Sequence, residues 1–195
     1  MKKAFICIDY TNDFAAENGA LTCGEPARQI EDTIVSLTQA FIENGDYVVF
    51  AVDSHDADDD FHPETRQFPP HNINGTEGKE LYGRLSPLYE KHKHAKNVNY
   101  MEKTRYSAFA GTDLELKLRE RQITELHLAG LCTDICVLHT AVDAYNKGFQ
   151  IVIHQNAVAS FNPEGHEWAL SHFKNSIGAQ WQSKEGENNF GGAWF

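Results

Sequence analysis

Three residues with catalytic side chains follow segments of the sequence that are rich in apolar residues. Asp9 ends the first of these segments, Lys103 follows a later one, and Cys136 lies after a third. If the segments are parallel strands, their carboxyl ends meet at one edge of a sheet, and the three side chains converge there. A thiolate that attacks a carbonyl carbon, a carboxylate that handles the proton and an ammonium that supports developing charge form a set for nucleophilic catalysis.

Each of these three residues also has an ordinary structural interpretation. Cys136 is predicted in the first turn of a helix, where free N–H groups and the helix dipole favour a thiolate. A free cysteine is more often a small buried apolar residue, however. Asp9 is equally suited to capping a turn, and Lys103 next to Arg105 to a solvated basic spot. Position alone therefore leaves both interpretations open for each residue.

A long loop after the second predicted strand contains side chains that bind metal ions. Asp53 and His55 are two residues apart, which places them on the same side of an extended chain. His71 lies farther along the loop, with His62 and Glu64 between. Two imidazoles and a carboxylate suit zinc, iron or manganese with positions open for water or a ligand. The alternative is an acidic loop that is merely solvated.

Composition and motifs exclude several other classes of protein. The net charge of −11 argues against nucleic acids and anionic membranes as partners. No apolar run approaches the roughly 20 residues of a membrane span, and the N-terminal run ends at Asp9, too early for a signal peptide. The four cysteines resemble no disulfide framework, so we expect a protein of the reducing cytoplasm. Cys132 and Cys136 also lack the spacing of a structural zinc site. Phosphate-loop, dinucleotide, serine-hydrolase and zincin motifs are absent.

Strand-like and helix-like segments alternate along the chain of 195 residues. Short apolar segments predict strands at residues 4–9, 47–52, 97–101, 125–129, 149–154 and 179–181. Helical spacing of apolar residues predicts helices at residues 26–44, 113–122, 133–147 and 164–176. This alternation predicts a three-layer α/β/α fold with a mostly parallel central sheet. We expect one domain over 1–182, with a metal-binding loop at about 53–78, and a polar tail over 183–195. The histidines outside the loop, among them His127 and His154, are expected at the surface or on helices.

Three motifs, in this order, resemble those of the isochorismatase-like cysteine hydrolases. They are ICIDYTNDF from residue 6, KTRYSAF from residue 103 and GLCTDICV from residue 130. Two further stretches, VDSH from residue 52 and PPHNINGTEG from residue 69, are similar to the metal motifs of the nicotinamidases within that superfamily. Asn72 stands where the second stretch usually has cysteine. The resemblance extends over about residues 4–181.

The resemblance implies a chemical mechanism. The enzyme would hydrolyse nicotinamide to nicotinic acid and ammonia through a thioester on Cys136, in NAD salvage, and would also act on pyrazinamide. Asp9 would accept the thiol proton and pass it to ammonia, while Lys103 would favour the charged form of Asp9. Backbone N–H groups of Cys132 and Cys136 would bind the oxyanion, and the peptide bond from Leu131 to Cys132 would be cis.

The resemblance also implies one divalent metal ion, with zinc the first choice and iron or manganese possible. Its ligands would be Asp53, His55, Glu64 and His71, with His62 as the alternative to Glu64. The substrate ring would stack against Phe14, Phe68 and Tyr106, unless these are ordinary core aromatics. A homo-oligomer is usual in the family. Two rivals remain: a sister hydrolase of another small amide or of isochorismate, and a non-catalytic protein that kept the fold.

Overall fold

The framework of the molecule is a six-stranded sheet in the order β3-β2-β1-β4-β5-β6, and every neighbouring pair is parallel. The computed structural model describes residues 2–182. The strands are β1 Lys3–Ile8, β2 Tyr47–Asp53, β3 Val98–Lys103, β4 Glu125–Leu131, β5 Gln150–Ala159 and β6 Gln180–Gln182. The helices are α1 Asn12–Ala15, α2 Glu25–Gln29, α3 Glu31–Glu43, α4 Leu85–His92, α5 Leu114–Glu120, α6 Leu138–Asn146 and α7 Pro163–Asn175.

Helices cover both faces of the sheet and create two apolar cores. Along β1, Ala4, Ile6 and Ile8 belong to one core and Phe5 and Cys7 to the other, as the two-residue period of a strand requires. Helices α5, α6 and α7 contribute to the first core, and α1, α3 and α4 to the second. A parallel sheet buried on both faces gives strands that are continuously apolar, which is why the sequence marks them. The predicted three-layer fold is confirmed.

The structure departs from the predicted elements in several places, and the short helix α1 was not predicted. The helix predicted over 26–44 is two helices that meet at Ile30. Helix α4 was not predicted; it carries Pro87 in its first turn, where proline is tolerated. Strand β5 continues to Ala159, beyond its predicted end. The helix predicted from residue 133 begins as a π-helical turn, Thr133–Val137, and α6 follows from Leu138.

Some predictions concern features that the structure leaves untested. Within residues 2–182, no helix combines the length and the apolar composition that crossing a membrane requires. The tail over 183–195 lies outside the described residues. The domain boundary at 182, the homo-oligomer and the cytoplasmic location stay predictions.

The expectation for His127 and His154 is wrong, because both side chains are buried between the sheet and α3. The Nε2 of His127 donates to the Glu125 carboxylate over 2.8 Å, so its Nδ1 is left to accept from Nε2 of His154 at 2.9 Å. This arrangement uses both imidazoles in their neutral form. Burial, with a smaller contribution from His127, lowers the pKa of His154 to about 3.

We therefore expect acid to destabilise the fold through His154. An unfolded histidine has a pKa of about 6.5, so the unfolded chain binds the extra proton first, and stability is lost as pH falls below that value. The contribution is about 3 kcal/mol at pH 4 by linkage. Urea unfolding at pH 7 and pH 4 measures it in the wild type and in His154→Gln, which keeps an N–H donor but does not titrate. The pH dependence should be shallower in the variant, and equal slopes would contradict this assignment.

Candidate active site

The carboxyl ends of four neighbouring strands carry the candidate catalytic groups. Asp9 follows β1, Asp53 and Lys103 end β2 and β3, and Cys136 lies in the turn after β4. The chain builds β1, β2 and β3 toward one edge of the sheet and then returns to place β4 on the other side of β1. Ligands of open parallel sheets bind where the strand order reverses in this way. The topology thus brings the predicted residues together.

Asp9 is held in an uncommon backbone conformation. Its φ is 52°, in the left-handed region, and its side chain is fully buried. Its N–H donates to the Ala51 carbonyl over 2.9 Å, and its Oδ1 accepts from the Asp53 N–H at 2.6 Å. A non-glycine residue in this region costs about 1–3 kcal/mol and is typical of functional sites. Contacts with β2 thus fix the carboxylate in place.

Lys103 connects Asp9 with the other two acidic groups of the site. Its Nζ lies 2.8 Å from Asp9 Oδ2 and 3.4 Å from Asp53 Oδ1, and it donates to Cys136 Sγ over 3.6 Å. The contact with Asp9 is an ion pair whose angles do not meet those of a hydrogen bond. Asp9 Oδ2 accordingly has no hydrogen-bond partner among residues 2–182. Burial acts to lower the pKa of Lys103, but the Asp9 carboxylate, with a smaller effect of Asp53, outweighs it and raises the pKa well above its ordinary value. The ammonium is therefore charged at neutral pH.

Cys136 rests as a protonated thiol. Burial raises the pKa of Cys136 well above its ordinary value and outweighs the opposing effect of Lys103. Cys136 lies in the π-helical turn Thr133–Val137, and the regular helix begins at Leu138. Stabilisation of its thiolate by this helix N-terminus stays a prediction. Burial also raises the pKa of Asp9, to about 6 against the opposing charge of Lys103, so its carboxylate is ionised at pH 7. A neutral thiol beside an ionised carboxylate is an arrangement for general-base activation.

Four side chains beside this cluster form a candidate metal site. Donor atoms of all four lie within 4.8 Å of one another, and all four are buried: Asp53, His55, Glu64 and His71. His71 Nδ1 lies 2.8 Å from the Pro69 carbonyl oxygen, so in a neutral ring that donates this hydrogen bond Nε2 carries the lone pair a metal ion needs. This Nε2 is buried without a hydrogen-bond partner in the described part of the chain. Burial acts to raise the pKa of Asp53, but Lys103 and the neighbouring His55 hold it well below its usual range. Oriented imidazoles and carboxylates fit a zinc, iron or manganese ion.

The predicted aromatic residues lie around these groups. The Phe14 ring is 5.3 Å from the His71 ring, and the Phe68 ring is 6.2 Å from it. Tyr106 donates its hydroxyl to Gln67 over 3.1 Å. Burial raises the pKa of Tyr106 above its ordinary value, with a smaller contribution from the Glu64 carboxylate.

Comparison with known proteins identifies the family of this chain. The model of the isochorismatase domain matches residues 3–185. The chain belongs to the isochorismatase family. Among curated proteins, an uncharacterized isochorismatase family protein PncA of Bacillus subtilis strain 168 is 79% identical over 180 residues, which cover 92% of this chain and 98% of the relative.

Solved structures of the isochorismatase family match this chain closely. A nicotinamidase/pyrazinamidase PncA from Bacillus subtilis has a TM-score of 0.93 and 97% identity, over 94% of this chain and 100% of that chain. A pyrazinamidase of Pyrococcus horikoshii in complex with zinc has a TM-score of 0.81 and 28% identity, over 94% of this chain and 99% of that chain. The two Bacillus subtilis matches are different sequences, since each covers more than nine tenths of this chain at a different identity.

Sequence reasoning missed the residues that anchor the turn Thr133–Val137, which carries Cys136, in this isochorismatase-family chain. Buried Thr133 shares a hydrogen bond of 2.8 Å with His166 of α7. The next residue, Asp134, accepts from the Ser160 hydroxyl over 2.6 Å. A Cβ at Gly165 would lie 2.0 Å from Asp134 Oδ2, so any larger residue would displace the Asp134 carboxylate. Such contacts join distant parts of the chain and leave no local pattern in the sequence.

A close approach between strands also shapes the start of this turn. Gly130 has φ of 117°, and a Cβ there would lie 1.9 Å from the Ile8 carbonyl oxygen of β1. The peptide bond between Leu131 and Cys132 is cis, as the resemblance implies. Gly130 thus lets β4 approach β1, one residue before Asp9.

The metal loop is ordered by polar contacts that its composition did not reveal. His62, the alternative fourth ligand, donates from Nε2 to the Thr104 carbonyl over 2.7 Å and accepts from the Glu64 N–H at Nδ1. Both ring nitrogens are therefore in use, and His62 positions Glu64 instead of joining the metal group. Buried Asn72 stands where cysteine was expected, and its Oδ1 accepts from the Thr11 hydroxyl over 2.9 Å. These bonds connect the loop to β3 and to the segment after β1.

Proposed function

We propose that this chain is a nicotinamidase, an amidohydrolase that converts nicotinamide and water to nicotinic acid and ammonia. The observation that carries the proposal is the buried cluster of Asp9, Lys103 and Cys136 directly beside the group of four metal-binding side chains. The cluster supplies a nucleophile for acyl transfer together with its base. The four metal-binding side chains supply the place where a ring nitrogen of the substrate would bind. The nicotinamidase/pyrazinamidase with 97% identity supports the same substrate class.

In the first half of the reaction, Cys136 Sγ attacks the carboxamide carbon while Asp9 takes the thiol proton. The raised pKa of Cys136 makes this base necessary, because the thiol does not ionise unaided at neutral pH. Backbone N–H groups of Cys132 and Cys136 hold the oxyanion. The C–N bond then breaks, Asp9 delivers its proton to the leaving nitrogen, and ammonia departs from a thioester.

In the second half, water attacks the thioester carbonyl and gives a proton to Asp9. The C–S bond breaks, nicotinic acid leaves, and the proton returns to Cys136. Lys103 stays charged throughout, and its position 2.8 Å from Asp9 favours the carboxylate over the acid. Asp9 is thus a base twice and an acid twice, which its pKa of about 6 permits near neutral pH.

The four clustered side chains Asp53, His55, Glu64 and His71 hold a divalent metal ion in this proposal, with zinc the first choice. An ion held there would supply a Lewis acid for the pyridine nitrogen, and the four side chains would in this way orient the amide toward Cys136. Phe14, Phe68 and Tyr106 confine the aromatic ring. Pyrazinamide carries a ring nitrogen in the equivalent position, so we propose it as a second substrate. The products fit a salvage role in NAD synthesis.

Ammonia release from nicotinamide tests this function. We expect turnover in the ordinary range of enzymes, about 1–1,000 per second, when the protein is saturated with zinc or manganese. Benzamide, which lacks the ring nitrogen, should be hydrolysed far more slowly. No ammonia from nicotinamide at millimolar concentration would reject the proposal. Ammonia from another small amide alone would favour a sister hydrolase.

Removal of the metal ion should abolish most activity while the fold persists. The two apolar cores on the sheet faces do not depend on the loop, so far-UV circular dichroism should stay unchanged after chelation. We expect kcat/KM for nicotinamide to fall by at least about 100-fold and to recover when zinc is added back. If the chelated protein unfolds, the ion is structural and this prediction is wrong.

A further inference from the structure

A small cavity reaches the candidate metal group from the outer side of the loop. It has a volume of about 50 Å³, enough for a few water molecules. Three of the four metal-binding side chains line it: His55, Glu64 and His71. Its remaining walls include Asp56, Ala57 and Thr65, which are exposed and open the cavity to solvent.

This cavity does not approach the metal group from the side of the nucleophile. Within residues 2–182, its lining contains none of Asp9, Lys103, Cys136, Phe14 and Tyr106. Phe68 is the one proposed ring contact that it shares. The donor atoms therefore have two sides, one toward the catalytic cluster and one toward this opening.

We propose that the opening is a port through which the divalent ion enters and leaves, separate from the path of the substrate. The inference rests on the proposed metal site. A substrate ring that occupies the inner side covers the ion from that side, so an ion limited to one path could not exchange during turnover. The outer port allows loading and release while an acyl group is attached to Cys136.

The charge and order of the rim suit this use. Asp56 Oδ1 accepts from the Asn74 side chain over 2.7 Å, which fixes a carboxylate at the rim. Asp58, Asp59 and Asp60 follow in the same loop and are exposed. Clustered negative charge raises the local concentration of cations and their rate of entry. His55 is paired in a short bridge with Ile73, so the inner end of the port is ordered as well.

Large side chains placed at the rim should block the port, and the rates of zinc uptake and release then test the proposal. The measurement does not depend on catalytic activity. Ala57→Trp places an indole at the rim, and Thr65→Trp does so from another part of the lining. Arg66→Trp is the matched control, because Arg66 is exposed next to Thr65 but does not line the cavity. Zinc uptake by the metal-free protein and zinc release are followed with a coloured chelator, and circular dichroism verifies each fold.

We expect both rim variants to slow zinc uptake and release by at least tenfold, with equal binding stoichiometry, while Arg66→Trp stays within twofold of the wild type. Rates within twofold in both rim variants would overturn the port, because the ion would then pass on the substrate side. Failure of the wild-type protein to bind zinc or manganese would instead reject the metal site itself. The use of two rim variants keeps the test decisive if one of them does not fold.

Discussion

Replacing Cys136 by alanine is expected to lower kcat for nicotinamide by at least about ten-thousand-fold. The reason is that the thiol supplies the only covalent step in the proposed mechanism, and Asp9 with Lys103 would be left without a group to activate. Alanine fits the buried position without adding bulk, so the fold should survive. Ammonia release under substrate saturation measures the loss, with thermal unfolding as the check on structure.

Cys7→Ala provides the matched control for this prediction. Cys7 is also buried, two residues before Asp9 on β1, but its side chain packs in the core on one face of the sheet. We expect that variant to keep kcat within about tenfold and to lose only stability, as large-to-small core changes do. Equal activity of Cys136→Ala and the wild type would contradict covalent catalysis.

Replacing Asp9 by asparagine is expected to reduce kcat by about a thousandfold, the usual scale for removing a general acid–base group. Asparagine keeps an oxygen that can accept from the Asp53 N–H, now at 2.6 Å from Asp9 Oδ1. It cannot take the thiol proton or deliver a proton to ammonia. Lys103 retains its contact with Asp53, so a charged partner remains for the buried ammonium.

Asp143→Asn is the control for the loss of one carboxylate. Asp143 accepts a hydrogen bond from Ser107 over 2.6 Å and lies outside the catalytic cluster. Its variant should retain most activity. A folded Asp9→Asn protein with more than about a tenth of wild-type kcat would show that another group transfers the protons.

The strand ends could be predicted from the sequence because the physics that places them is local. A strand buried on both faces must be continuously apolar, and a parallel sheet gathers all carboxyl ends at one edge. Asp9 and Cys136 follow such runs, whereas Lys103 ends β3, a less apolar strand at the edge of the sheet, and was found through the motif around it. The metal donors Asp53 and His55 could be found for the same reason, together with their spacing on an extended chain.

The remaining features depend on contacts between distant parts of the chain. His62 matched a metal ligand by type, but its contact with the Thr104 carbonyl is visible only in the folded molecule. Burial raises the pKa of the Cys136 thiol, and the enclosure of this side chain depends on contacts that only the folded chain makes. His127 and His154 pair across two neighbouring strands, and no pattern along either strand alone reveals that partnership.

Trapping the acyl-enzyme tests the central claim most directly. Saturating nicotinamide is mixed with the metal-loaded protein, the reaction is quenched with acid during steady-state turnover, and the peptides are analysed by mass spectrometry. The mechanism predicts one nicotinoyl group attached to Cys136, absent in Cys136→Ala and removed by hydroxylamine. Rapid turnover with the adduct on another residue would contradict the assignment of Cys136 as the nucleophile.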